Sequence, residues 1–183
     1  MNRLVILTVG KTHSGKTTFA KALEKEMPNS VVIDQDNHAE FLHTYYQALL
    51  PKQGPNTIKY ALTQTIVTYT VEETNCHLIL CNSNRNRRGR LKLLDYYHKQ
   101  GFTSILFNFD IPEHVLKERI AKSQRRTTIL RTASTFDEVL NRQQNETNQG
   151  DILLPIEGEA NHLYVIKCED DMQSVIRQIV SHA

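Results

Sequence analysis

A chain of 183 residues with 39% hydrophobic and 23% charged residues fits one domain, residues 1–183, long enough for a three-layer core. Its formal charge of +2 is too small to argue by itself for a nucleic-acid partner, and no apolar run approaches the length of a membrane span. The three cysteines (Cys76, Cys81, Cys168) lack metal-ligand spacing and are odd in number, so they read as reduced residues of a cytoplasmic protein.

The first predicted element is the strand Leu4 to Val9, which Met1 enters so directly that no signal peptide is expected. It runs into Gly10, Lys11, Thr12, His13, Ser14, Gly15, Lys16 and Thr17, a complete Walker A pattern, and then into a helix from Thr18 to Met27. Strand, loop and helix in this order are the context a phosphate loop requires. Glycine lets the backbone curl so that successive N–H groups face phosphate oxygens, and the helix N-terminus adds partial positive charge. Gly10 through Thr18 are therefore expected to bind ATP. Lys16 is expected to reach the β- and γ-phosphates, and Thr17 to ligate Mg²⁺. His13 is expected to face solvent and supply only its N–H. A plain Gly-rich turn before a helix would leave the apolar strand unexplained.

Four more strands are predicted: Ser30 to Asp34, His77 to Cys81, Ser104 to Phe109 and His162 to Lys167. Helices are predicted over Asn37 to Leu50, Asn56 to Glu73, Arg87 to Gln100, Pro112 to Lys122, Phe136 to Asn148 and Met172 to Ser181. The alternation predicts an α/β fold, a parallel sheet with helices on both faces. Ligands of such sheets sit beyond the carboxyl ends of the strands.

Beyond the second strand stand Asp34 and Asp36, two positions apart, which extended backbone would point to one side of the sheet. Phosphoryl transfer needs one carboxylate near Mg²⁺ and one near the acceptor hydroxyl. Asp34 is assigned to the metal, directly or through water, and Asp36 to the base. A capping turn is the alternative for either residue alone.

Arginines fall in two clusters. Arg85, Arg87, Arg88 and Arg90 read equally as a solvated helix face or a nucleic-acid contact. Arg119, Arg125, Arg126 and Arg131 surround a polar stretch, 122–135, that reads as a lid able to stabilise transferring phosphoryl charge and exclude water.

Together these pieces resemble the small P-loop kinases that phosphorylate hydroxyl groups, above all the polynucleotide-kinase-like branch, with gluconate, shikimate and zeta-toxin kinases as relatives. The resemblance implies a P-loop NTPase three-layer sandwich, a five-stranded parallel sheet under a helical lid. It places the lid arginines on Arg119 and on Arg125 or Arg126, and the catalytic acid on Asp36. Asn82-Ser83-Asn84 stands where polynucleotide kinases carry Asp-Thr-Asn, so metal handling would lean on Thr17 and Asp34. Ala39 lacks the positive charge those kinases use for a nucleic-acid phosphate. The segment from Phe41 to Tyr60, with His43, Tyr45, Tyr46 and Lys52, would line the acceptor pocket, although aromatic residues at helical spacing are more often core.

The expected activity is an ATP- and Mg²⁺-dependent kinase acting on a small molecule or a nucleic-acid 5′-hydroxyl, as a monomer or homodimer without a membrane partner. No guanine-reading Asn-Lys-x-Asp sequence is present. The third strand ends in Cys81-Asn82 rather than in acids, which disfavours hydrolysis as the main activity. A P-loop ATPase and a nucleotide-sensing or RNA-binding protein are the alternatives.

Overall fold

The computed structural model describes residues 3–182. Five strands form one parallel sheet in the order β2-β3-β1-β4-β5. They are β1 (Leu4–Gly10), β2 (Ser30–Ile33), β3 (His77–Leu80), β4 (Thr103–Phe109) and β5 (His162–Ile166). β1 lies at the centre because its side chains are apolar on both faces: Ile6 packs to one side and Val5, Leu7 and Val9 to the other.

The Ile6 face is covered by α1 (Lys16–Glu26), α5 (Glu113–Ala121), α6 (Phe136–Asn145) and α7 (Glu169–His182), through Phe19, Leu23, Leu116, Ile120, Leu140, Ile176 and Ile179. The opposite face is covered by α3 (Thr57–Glu73) and α4 (Arg87–Lys99), through Val67, Val71, Leu94 and Tyr97. The remaining helix, α2 (Gln35–Tyr45), packs on α3, where His38 Nδ1 and Thr63 Oγ1 are 2.7 Å apart. No described helix is long and apolar enough to cross a membrane.

Several boundaries differ from the sequence reading. α1 begins at Lys16 rather than Thr18, which puts Lys16 and Thr17 in its first turn. β2 stops at Ile33 because Asp34 caps α2, so Asp36 lies on a helix and not on a continued strand. The helix expected to Leu50 breaks at Tyr46 and resumes as a short 3₁₀ turn, Gln47–Leu49. α6 ends at Asn145 instead of Asn148, and α7 starts at Glu169, with three acidic residues in its first turn where the helix dipole favours them.

The chain leaves β1 toward β2 and β3, then crosses to β4 on the other side of β1. That reversal opens a crevice at the carboxyl end of β1, where the Gly10 loop emerges.

Candidate functional site

The Gly10 loop closes tightly on itself. A Cβ at Gly10 would lie 2.9 Å from Ser14 Oγ and 3.0 Å from the Cβ of Phe109, so only glycine fits without a shift. Gly15 holds a left-handed φ of 98° as it turns into α1. No side chain caps α1 among the described residues, which leaves its first-turn N–H groups available to an anion. Lys16 Nζ crosses the loop interior and donates to Lys11 O at 2.5 Å and Ser14 Oγ at 3.2 Å. Burial, with help from the Arg125 charge, pushes the Lys16 ammonium down to about 8. This curled, uncapped, cationic loop fits a polyphosphate.

Outer contacts hold the loop in place. Thr12 N donates to Gln143 Oε1 at 2.7 Å from α6, and Gly10 N donates to Ser83 O at 3.0 Å. Gln143 belongs to no motif, and nothing in the sequence pointed to it. His13 departs from expectation. Its ring meets Phe136 edge-on at 4.8 Å, and its Nδ1 lies 2.9 Å from Thr12 Oγ1. Burial first, then the Arg125 and Lys16 charges, lower its imidazole to about 4, so it is neutral near pH 7. The ring packs inward because Phe136 offers it an apolar wall, whereas the sequence reading sent it to solvent. Thr18 is exposed on the α1 face that lines a groove with α7.

Asp34 forms the capping turn that was its alternative reading and also touches the phosphate loop. Its Oδ1 accepts from Asp36 N at 2.9 Å, capping α2, and its Oδ2 accepts from Thr17 Oγ1 at 3.2 Å. Thr17 Oγ1 and Asp34 Oδ2 are hard oxygen donors side by side, a set that fits Mg²⁺. Asp36, in the first turn of α2, is ion-paired with the Arg125 guanidinium. That guanidinium also lies 5.2 Å from the Phe136 ring centroid, which connects Asp36, the lid stretch and His13 of the loop.

The other lid arginines separate. Arg119 reaches the loop from α5, donating to His13 O at 3.4 Å, and pairs with Glu169 at 3.4 Å. Arg126 is exposed, and its side chain makes no hydrogen bond or ion pair among the described residues. Arg131 donates to Pro51 O at 2.7 Å and Gly54 O at 3.0 Å, tying the 122–135 stretch to the turn after α2.

At the end of β3 the side chain that meets Thr17 is Cys81, which the sequence had not singled out; its Sγ lies 3.6 Å from Thr17 Oγ1. Asn82 instead accepts from Thr8 Oγ1 at 2.9 Å through its carbonyl. Burial pushes the Cys81 thiol up to about 11. The aromatic residues after Asp36 are not core. Phe41, Tyr45 and Tyr46 are exposed, with ring centroids 5.3 Å (Phe41–Tyr45) and 5.6 Å (Phe41–Tyr46) apart.

In the cluster after β3, Arg88 is exposed, while the guanidinium groups of Arg85, Arg87 and Arg90 are paired within the chain. Arg90 is 1% exposed and grips Glu159 with Nε–Oε2 at 2.8 Å and Nη2–Oε1 at 3.2 Å. It also donates to Asn84 O at 2.9 Å and Leu153 O at 3.2 Å. Arg87 adds a second pairing to Glu159 at 2.9 Å, and Arg85 binds Gln143 O and Thr147 Oγ1 at the end of α6.

Residues 5–146 match a family model described as an AAA domain. A candidate kinase from Chloroflexus aurantiacus J-10-fl superposes with a TM-score of 0.69 at 17% identity, over 100% of both chains. Kti12 from Chaetomium thermophilum, solved in complex with ADP-AlF3, gives 0.63 at 15% identity, over 97% of each chain. Shikimate kinase from Bacteroides thetaiotaomicron gives 0.59 at 16% identity, over 98% of this chain and 97% of that one. At these identities the likeness establishes the P-loop kinase fold. Among curated proteins, none matches the sequence.

Proposed function

We propose that this chain, which belongs to the AAA domain family, is an ATP-dependent phosphotransferase that moves the γ-phosphoryl group to an alcohol hydroxyl. The acceptor is a small molecule or a nucleic-acid 5′ end. The observation that carries this reading is the ion pair between Asp36 and Arg125 beside the Gly10 loop. It sets a carboxylate suited to an acceptor hydroxyl against a guanidinium suited to phosphoryl oxygens.

In this reading Gly10 to Thr18 cradle the phosphates, Lys16 binds the β- and γ-oxygens, and Thr17 with Asp34 holds Mg²⁺ directly or through water. Mg²⁺, when bound, supplies charge neutralisation at the phosphates. Asp36 orients the acceptor hydroxyl and takes its proton. The Asp36 carboxylate is occupied by the Arg125 guanidinium, so the pair has to open before the acceptor hydroxyl can take its place against Asp36. Opening frees Arg125 to join Arg119 on the transferring group. Of Arg125 and Arg126, the ion pair favours Arg125. Hydrolysis is the weaker reading, because Cys81 and Asn82 follow β3 where an acid would orient water. The free thiols of Cys76, Cys81 and Cys168 support a cytoplasmic setting.

The test follows γ-labelled ATP with Mg²⁺ against 5′-hydroxyl oligonucleotides, nucleosides, sugar acids, aminoglycosides and UDP-sugars, with Asp36→Asn run in parallel. Label moving to one acceptor class, and lost in the variant, supports the reading. Label released only as phosphate, equally by both proteins, overturns it.

A further inference from the structure

The Thr17–Asp34 pair next to the phosphate loop has a sulfur beside it. Thr17 Oγ1 stands between two partners, 3.2 Å from Asp34 Oδ2 and 3.6 Å from Cys81 Sγ. The three side chains come from α1, the β2–α2 junction and the end of β3, and both outer partners are buried, Asp34 at 3% and Cys81 at 4% exposure. Metal–oxygen bonds of about 2.1 Å and metal–sulfur bonds of about 2.3 Å give coordination-polyhedron edges of roughly 3.0–3.6 Å. The two separations already fall on such edges.

Hard and soft cations see this set differently. Mg²⁺ takes oxygen ligands and gains nothing from a thiolate, whereas Zn²⁺ and Cd²⁺ bind thiolate strongly. Among the described residues no three His, Cys, Asp or Glu side chains converge, so the Thr17 hydroxyl has to be the third protein donor. Remaining positions are left to water or phosphate oxygen.

We propose that Cys81 is a metal-specificity residue, and that Cys81, Asp34 and Thr17 together admit a thiophilic divalent cation of the Zn²⁺ class in competition with Mg²⁺. Ligation replaces the S–H bond by a metal–sulfur bond, and the thiol proton leaves to solvent. The consequence is inhibition of phosphoryl transfer by soft metal at a site where Mg²⁺ supports it. The proposal rests on the reading above for the place of Mg²⁺, but its readouts do not use transfer activity.

The test uses the full chain with Cys76→Ser and Cys168→Ser, which leaves Cys81 as the sole thiol. Cd²⁺ is titrated in and thiolate-to-metal charge-transfer absorption is followed in the near ultraviolet. The expected result is a band saturating at one equivalent, lost on adding Cys81→Ser, and abolished by excess Mg²⁺ with ADP. Cys81→Ala replaces Cys81→Ser if a thermal melt shows the latter unfolded. Cys81→Asp is expected to lose the band and bind Mg²⁺ with ADP about tenfold more tightly. A band that survives removal of Cys81, that never forms, or that ignores Mg²⁺ with ADP overturns the proposal. A chain that shows the expected band but transfers no phosphoryl group would overturn the kinase reading alone.

Discussion

Two arginine-rich segments follow two strands of the same sheet, and the fold uses them in opposite ways. After β3, Arg90 spends its five donors on Glu159 and on the carbonyls of Asn84, Arg85 and Leu153, so nothing is left for a ligand. Around the end of α5, Arg125 meets one carboxylate and one ring face and keeps a side chain 34% exposed. The deciding factor lies outside either segment. Glu159 is buried opposite the first cluster, and the phosphate loop with Asp36 stands opposite the second. One set of guanidinium groups therefore fastens the 146–160 segment to α4, and the other faces the crevice.

Breaking each pairing separately should split stability from activity. Arg90→Met leaves Glu159 buried without its main partner and is expected to cost about 3–5 kcal/mol in urea unfolding. Adding Glu159→Leu removes the orphaned charge and should recover much of that loss. A double variant as unstable as the single would mean the cost lies in packing and not in charge. Arg125→Ala should instead leave the unfolding free energy within about 0.5 kcal/mol of the parent chain. It should slow phosphoryl transfer on the order of a thousandfold. Equal turnover in parent and variant would remove Arg125 from the reaction.

The sheet and the phosphate loop were legible because both are local: an apolar strand, glycines at fixed spacing and an amphipathic helix follow one another without help from distant residues. The first arginine cluster was not, since Glu159 lies 69 residues from Arg90 and belongs to no motif. Asp34 was legible as an acid at a strand end, but β2 stops one residue earlier than expected, and the capping hydrogen bond to Asp36 N decides where Asp36 stands. Cys81 was passed over because it belongs to no motif, and Asn82 was set aside for lacking the acid's charge. Strand alternation chooses between neighbours, and it turns Cys81 toward Thr17. His13 depended on Phe136, 123 positions later, which no loop pattern announces.

Asp36→Asn tests the ion pair from its other side, with a smaller effect. Amide replaces carboxylate at nearly the same volume, so Arg125 loses a charged partner while the loop stays intact. ATP should then bind several-fold more tightly, because no ion pair has to open when Arg125 turns to phosphate. Equilibrium titration with a non-hydrolysable ATP analogue measures this. Weaker binding in the variant would show that Asp36 helps hold the nucleotide and is not a competitor for Arg125.

The smallest effect concerns His13, which separates the two arginine clusters by charge alone. Its imidazole sits near 4 because of burial, and then because of Arg125 and Lys16, with Arg119 of the second cluster adding in the same direction. The folded chain therefore binds fewer protons than the unfolded chain between pH 4 and 6.5. Stability from this group is present above pH 6.5 and is lost as pH falls toward 4, with lowered His38 and His77 adding in the same direction. Removing the nearby charge with Arg125→Ala should raise the His13 value part of the way back, leaving burial and the Lys16 and Arg119 charges. An NMR titration of the ring protons reads this directly, and the acid limb of the stability curve should become shallower in step. An unchanged His13 titration in Arg125→Ala would mean that burial and the remaining cations account for the shift, and that Arg125 does not share the electrostatics of the loop.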